Sequence, residues 1–120
     1  MPYIRFELNQ KLSQQDKLAF AAKAAESVAV IPGKRADRTM VNVTTECALH
    51  FHGSDRAIAF VEIRLFGQSE REQKTALAEQ LASLLGAELN IAADDIYMNM
   101  IEMPSWGKSG SLAFSETWKG

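Results

Sequence analysis

Residues 57–66 read AIAFVEIRLF, and residues 69–89 read SEREQKTALAEQLASLLGAEL. The first stretch is rich in β-branched and aromatic residues, which predicts a strand. In the second stretch, Ser69 and Glu72 match a capping box at the start of a helix. Leucines then recur on one helical stripe, at Leu77, Leu81, Leu84, Leu85 and Leu89. A strand, a turn at Gly67 and an amphipathic helix are therefore predicted in direct succession.

The same order of elements recurs on both sides of this stretch. Residues 96–103 predict the strand that follows the helix, and residues 39–45 predict its counterpart in the first half. Residues 3–9 alternate between apolar and polar side chains, and a helix capped by Ser13 runs from there to Pro32-Gly33. Its apolar positions are Leu18, Ala21, Ala22, Ala25, Val28 and Ala29. Tyr3 and Thr39 are 36 residues apart, as are Phe60 and Ile96, which predicts two βαβ units.

Two βαβ units predict an α+β fold with one four-stranded sheet. Right-handed crossovers make each strand pair parallel and place both helices on the same face. The other face is left uncovered, which favours closure of three sheets into a homotrimer. We expect a short edge strand within residues 46–55, turns from Pro104 onward, a single domain over residues 1–114 and a frayed tail over residues 115–120.

Composition limits the classes of function. The chain has 120 residues with a formal net charge of -2, which argues against a nucleic-acid partner. Charged residues interrupt its most apolar segment, so we expect no membrane insertion. The first residues lack the pattern of a secretory signal. Because a single cysteine, Cys47, cannot form an internal disulfide, the expected location is the reducing cytoplasm.

Pro2 is the leading candidate for a catalytic group. Removal of Met1 would leave the secondary amine of Pro2 at the chain start, and such an amine can act as a base. Pro2 shares the parity of Ile4, Phe6 and Leu8, so it should face apolar surroundings. Desolvation and a nearby cation would lower the pKa of this amine toward neutrality. A proline at position two also occurs by chance, because proline is a common residue.

Several short motifs resemble the tautomerase superfamily, in its branch of macrophage migration inhibitory factor and phenylpyruvate tautomerases. They extend from Pro2 to Phe114 and comprise Met1-Pro2, Gly33-Lys34, Phe51-His-Gly-Ser54, Gly67, Ile96-Tyr-Met-Asn99, Trp106-Gly107 and Phe114. The resemblance implies a trimeric fold and a keto–enol tautomerase of 2-oxo acids such as phenylpyruvate. It implies no cofactor and no metal.

The resemblance also implies a role for each matching residue. Pro2 would move a proton between the carbon and oxygen of the keto and enol forms. Lys34 would hold the substrate carboxylate and lower the pKa of the proline. Tyr97 and Asn99 would come from the adjacent subunit, and their parity in the last strand does place them on the uncovered face. The apolar walls of the pocket would be Phe66, Trp106 and Phe114.

Two departures from that branch affect the expected function. Its Cys-x-x-Cys pair falls on Ile58 and Val61, so thiol redox activity is not expected. Arg38 and Lys108 stand where the branch tends to have aromatic residues, which makes the pocket more cationic and suits a second carboxylate. The alternatives are a non-catalytic trimeric binding or cytokine-like protein, and a decarboxylase or dehalogenase that uses Arg35, Asp37 and Arg38.

Each candidate residue also has a structural explanation. Lys34 with its neighbouring arginines fits a solvated loop, while Tyr97 and Asn99 fit ordinary polar positions of a strand. Trp106 fits interface packing. His50 and His52 lie two residues apart without a third ligand, so they are expected to be structural or exposed rather than metal ligands.

Overall fold

The chain forms a four-stranded sheet, two α-helices and a C-terminal hairpin. The computed structural model describes residues 1–53 and 55–119. The elements are β1 (Pro2–Leu8), α1 (Gln14–Glu26), β2 (Met40–Thr44), β3 (Ala59–Phe66), α2 (Arg71–Leu89), β4 (Ile96–Met103), β5 (Ser105–Lys108) and β6 (Ser111–Phe114). Short 3₁₀ turns lie at Ser27–Val30, Ala36–Arg38 and Ala93–Asp95.

The sheet has the order β2-β1-β3-β4. β1 runs parallel to β2, and β3 runs parallel to β4. The two units meet through the antiparallel pair β1 and β3, in which Ile4 lies opposite Ile63. The prediction of two parallel βαβ units in one α+β sheet is therefore confirmed, and the two central strands are those that begin each unit.

Both helices pack on the same face of the sheet. The alternating burial of β1 and β3 places Phe6 and Ile63 in a core that also contains Leu77, Leu81 and Leu85 of α2. The leucine stripe predicted for α2 is thus confirmed. The opposite face is uncovered in the single chain, where Tyr97 of β4 is 63% exposed.

Helix α1 buries a different stripe from the one predicted. Phe20 and Ala24 are buried, whereas Leu18 is 61% exposed. Val28 is buried as predicted, in the 3₁₀ turn that follows the helix. The Phe20 ring packs edge-on against Phe6, with ring centroids 4.9 Å apart, and so sets the rotation of the helix. Within α1 the prediction was wrong because alanines lie on every side of the helix, so the sequence does not show which side faces the core.

The caps agree with prediction at α1 and differ at α2. Ser13 accepts a hydrogen bond from the backbone N–H of Asp16 at 3.0 Å, as expected of an N-cap. At α2 the capping box is Glu70 with Gln73, one residue later than predicted. Ser69 stays outside the helix because its N–H donates to the Glu102 carboxylate at 2.7 Å.

The segment after β2 contains no edge strand in its described residues, 46–53 and 55. The N–H groups of Glu46 and Cys47 instead donate to the carbonyl oxygens of Gln10 and Leu8, each at 2.9 Å. These bonds fasten the segment across the end of β1, so its backbone is not free to pair as a strand. The edge-strand prediction is therefore wrong.

The turns predicted from Pro104 onward are in fact an antiparallel hairpin of β5 and β6. Ser109 and Gly110 connect the two strands with φ values of 53° and 76°. Two consecutive positive φ values are the geometry of a tight type I′ hairpin turn. The glycine and serine residues that suggested an irregular segment are the turn chemistry of this hairpin.

In residues 1–53 and 55–119, no helix has both the length and the apolar character needed to cross a membrane.

We expect the substitution Leu81→Ala to lower the free energy of unfolding by about 2–5 kcal/mol, because it opens a cavity under α2. The control Leu18→Ala makes the same substitution at an exposed position. It should change the free energy of unfolding by less than about 0.5 kcal/mol. Urea unfolding of both variants at one protein concentration measures the difference. Equal effects would contradict the assignment of the two helix faces.

Candidate functional site

A cleft of about 890 Å³ opens at the end of the sheet where β1 begins. That volume lies within the usual range for small-molecule sites. Its walls come from the loop after α1, the ends of β3 and β4, and the segment after β6. The lining residues are Met1, Pro32, Gly33, Lys34, Arg35, Arg38, Phe66, Gly67, Gln68, Glu102, Met103, Pro104, Ser115, Glu116 and Trp118.

Pro2 lies directly beneath the cleft as the first residue of β1. Its ring is fully buried, and it pairs with Leu65 of β3. Met1 precedes it and lines the cleft. With Met1 in place the nitrogen of Pro2 is an amide without basicity, so the amine that faces the cleft is that of Met1.

The chain start lies in surroundings that disfavour a positive charge. The pKa of the Met1 amine falls from its ordinary value of 8.0 to about 6. Burial is the largest cause, followed by repulsion from Lys34, Arg38 and Lys108. An amine at this position is therefore mostly a free base at neutral pH.

Lys34 stands at the centre of the cationic wall. Gly33, in the left-handed region at φ 85°, turns the chain after α1 and directs Lys34 into the cleft. The Lys34 ammonium donates to the carbonyl oxygen of Phe66 at 2.8 Å. Burial lowers the pKa of Lys34, and the negative charge of Glu102 opposes that shift. The wall thus presents an ammonium group that is partly stripped of water.

Glu102 is a cleft residue that the sequence predictions missed. Its carboxylate accepts from the Ser69 N–H at 2.7 Å and from the Lys74 ammonium at 3.0 Å. Glu102 has the parity of Ile96, Met98 and Met100, which pack against the core. A carboxylate on the apolar parity of a strand was the signal that would have identified it.

The arginines after Lys34 lie where the cationic pocket was predicted. Arg35 and Arg38 both line the cleft. Arg35 forms an exposed ion pair with Asp37 at 2.7 Å. The positive charge of Arg38 helps to lower the pKa of the Met1 amine, so it contributes to the electrostatic potential inside the cleft.

The aromatic wall differs in part from the predicted one. Phe66 lines the cleft, and Trp106 lies beside it with ring centroids 6.5 Å apart. Trp106 and Phe114 are not among the lining residues, whereas Trp118 is. Trp118 falls in the segment that was expected to be frayed, and its ring packs edge-on against Phe66 at 5.9 Å. Gly120, the last residue of that segment, lies outside the described residues.

Tyr97 and Asn99 are not in the cleft of their own chain. Tyr97 of β4 pairs with Phe60 of β3, whereas Pro2 of β1 pairs with Leu65 of β3. Phe60 and Leu65 are five residues apart on β3. At the rise of a strand this separation is roughly 16 Å. Both side chains lie on the uncovered face, as their parity predicted.

Phe51, His52 and Gly53 lie at the opposite end of the sheet. Phe51 stacks on His52 and on Tyr97, with ring centroids 3.9 and 4.5 Å apart. Both histidines are exposed, and Ser54 lies outside the described residues. The described part of the chain contains no group of three or more His, Cys, Asp or Glu side chains that could hold a metal ion.

A model of the macrophage migration inhibitory factor (MIF) family matches residues 1–113. The chain belongs to this family. The match spans the sheet, both helices and nearly all of the hairpin, so the resemblance drawn from the short motifs is confirmed. The cleft at the start of β1 is therefore the candidate site of a MIF family protein.

Solved structures show the same fold at low sequence identity. Leishmania major MIF2 has a TM-score of 0.85 and 20% identity, covering 94% of this chain and 97% of that chain. A MIF-like protein from Entamoeba histolytica has a TM-score of 0.81 and 22% identity, with coverages of 93% and 98%. A fused 4-OT asymmetric trimer has a TM-score of 0.76 and 16% identity, with coverages of 91% and 94%. No curated protein sequence matches the chain significantly.

In the chain that keeps Met1, we expect Lys34→Met to raise the pKa of the Met1 amine from about 6 toward 8.0. The shift should be partial, because burial is the largest cause of the lowered pKa and remains in the variant. An NMR pH titration of the Met1 resonances measures it. Lys11→Met, a substitution at an exposed lysine, should leave the titration unchanged, and an unchanged titration in Lys34→Met would refute the electrostatic role of Lys34.

Proposed function

We propose that this MIF family chain is a cofactor-independent keto–enol tautomerase of 2-oxo acids such as phenylpyruvate, with Pro2 as its general base and acid. One observation carries the proposal. The chain start opens into a cationic cleft in which burial, Lys34, Arg38 and Lys108 lower the pKa of an amine. After removal of Met1, the same surroundings act on the nitrogen of Pro2.

The reaction needs one base that can return its proton. In the ketonising direction, the Pro2 amine takes the enol O–H proton, the oxygen electron pair re-forms C=O, and the C=C pair takes the proton back from the Pro2 ammonium at carbon. Enolisation is the reverse. No redox partner enters this balance, and proton transfer of this kind contributes about 10²- to 10⁴-fold to the rate.

The other cleft residues bind and orient the substrate. Lys34 holds the carboxylate, and its reduced hydration strengthens that contact. Arg38 supplies further positive charge at the mouth of the cleft. The ring of Phe66, with Trp106 beside it, excludes water from the reacting carbon. Positioning by these groups supplies the remaining acceleration.

We propose that the site is completed in a homotrimer. Along the strand direction, Tyr97 lies roughly 16 Å and Asn99 roughly 10 Å from Pro2, and neither side chain lines the cleft of its own chain. Their side chains point away from the helices, where a neighbouring chain can meet them. The fused 4-OT with the same fold is an asymmetric trimer. In such an assembly Tyr97 and Asn99 bind or polarise the substrate oxygen of the neighbouring cleft.

A second candidate reaction is decarboxylation or dehalogenation of a short acid. Arg35 and Arg38 both line the cleft, which favours a substrate with a further negative group. Asp37, the acid considered for this chemistry, is held in an ion pair by Arg35 at 2.7 Å. Assays with malonate semialdehyde and short halogenated acids separate this candidate from tautomerisation.

The single cysteine, Cys47, supports a reducing cytoplasmic location for either activity.

We expect Pro2→Ala to lower kcat/KM for the phenylpyruvate enol by about 10²- to 10⁴-fold, because it replaces the positioned secondary amine. An ultraviolet assay of ketonisation measures the loss, with intact mass confirming removal of Met1 in both proteins.

In the wild type, kcat/KM should rise with pH through the lowered amine pKa and then level off, because the free base is the active form. Leu18→Ala is the control, and full activity in Pro2→Ala would refute Pro2 as the base. No activity in the wild type would instead favour the non-catalytic trimeric binding protein.

The shared site predicts complementation between chains. Pro2→Ala and Asn99→Ala should each be inactive alone. When the two are unfolded together and refolded as mixed trimers, roughly a quarter of wild-type activity should return, because a working site needs Pro2 from one chain and Asn99 from its neighbour. Activity that stays absent in the mixture would place Asn99 outside the neighbouring site.

A further inference from the structure

Trp118 is held at the cleft by the backbone of the segment that follows β6. The N–H of Ser115 donates to the carbonyl oxygen of Pro104 at 2.9 Å. The N–H of Thr117 then donates to the carbonyl oxygen of Phe114 at 3.2 Å, which turns the chain back. The two hydrogen bonds place the next residue, Trp118, in the wall of the cleft.

The Trp118 ring has two partners that fix it in place. It meets Phe66 edge-on, with ring centroids 5.9 Å apart and planes at 81°, a favourable aromatic geometry. The Lys108 ammonium lies 5.5 Å from the Trp118 ring centroid, within the range of a cation–π contact. Phe66 is 6% exposed, whereas Trp118 is 41% exposed. Trp118 therefore covers Phe66 and keeps its own surface available to a ligand.

Phe66 connects this ring to the anion site. Its carbonyl oxygen accepts a hydrogen bond from the Lys34 ammonium, and its ring packs against the Trp118 ring. A carboxylate bound at Lys34 thus lies one residue away from an aromatic wall. The side chain of a 2-oxo acid extends from the carbon next to the carbonyl group, so it must lie against this wall or point out of the cleft.

We infer that Trp118 is a specificity-determining residue that contacts the substrate side chain and favours aromatic over aliphatic 2-oxo acids. This inference rests on the proposed function for the identity of the substrate, but not for the contact itself. Flat aromatic groups gain from ring-on-ring packing beyond the area they bury, and aliphatic chains of similar size do not. Trp118 thereby supplies aromatic surface that Trp106 and Phe114 do not present to the cleft of the single chain.

The test measures binding of two non-reacting acids, 3-phenylpropanoate and hexanoate, by titration calorimetry. With Trp118→Ala, we expect the Kd of 3-phenylpropanoate to rise roughly three- to tenfold, and that of hexanoate less than about twofold. Trp118→Phe keeps an aromatic ring and should stay within about twofold of the wild type for both acids. Leu18→Ala is the control for loss of a partly exposed apolar side chain at a distance from the cleft.

Binding separates this inference from the catalytic proposal. If the phenylpyruvate assay shows no activity but Trp118→Ala weakens 3-phenylpropanoate selectively, the inference stands and the tautomerase proposal fails. If Trp118→Ala weakens both acids equally or neither, Trp118 is not a specificity residue. Failure of the wild type to bind 3-phenylpropanoate would overturn the inference as well.

Discussion

The chain start of this protein is fixed because the first strand is also a central strand. β1 is paired on both sides, with β2 and with β3, over almost its whole length. A terminus of an ordinary domain is free to fray. Here Pro2 is buried and in register with Leu65, so an amine at the chain start has a defined position relative to Lys34 and Phe66. That constraint makes terminal-amine chemistry geometrically practicable.

The same cations that make the cleft attractive to an acid make it unfavourable for a protonated amine. Lys34 both attracts an acid and lowers the pKa of the amine at the chain start. Glu102 acts in the opposite direction on Lys34 itself. The Glu102 charge opposes the lowering of the Lys34 pKa, while the Ser69 N–H and the Lys74 ammonium occupy its oxygens. The carboxylate therefore supports the cationic wall and competes little for the site that an anionic ligand would take.

The sequence predicted the fold where a pattern had one interpretation. Strict alternation in β1 and the leucine stripe of α2 each fit one period, and β4 was predicted with its observed bounds. The pattern failed in the alanine-rich α1, where Phe20 rather than Leu18 faces the core. It also failed after Pro104, because glycine and serine are equally typical of a tight hairpin and of an irregular loop.

Most residues of the candidate site that were predicted came from the short motifs. Lys34 and Phe66, which the motifs indicated, line one cleft, and Pro2 lies beneath it. Arg38, which was predicted as a departure from the family pattern, lines the same cleft. Trp118 was missed because its place depends on two backbone hydrogen bonds made by the hairpin, which no local pattern reveals. Side-chain identity shows what a residue can do, whereas long-range backbone pairing decides which residues meet.

The uncovered face supports assembly through its edges rather than its centre. Its two central strands carry charges that pair along the strand, Arg5 with Glu7 and Arg64 with Glu62. Such partly exposed pairs add little stability and keep that part of the face compatible with water. The exposed apolar side chains lie on the edge strands, at Met40 of β2 and at Tyr97 and Ile101 of β4. In a closed ring of three copies, contact between the edges of neighbouring sheets would bury those side chains and leave the charged centres facing the interior of the ring.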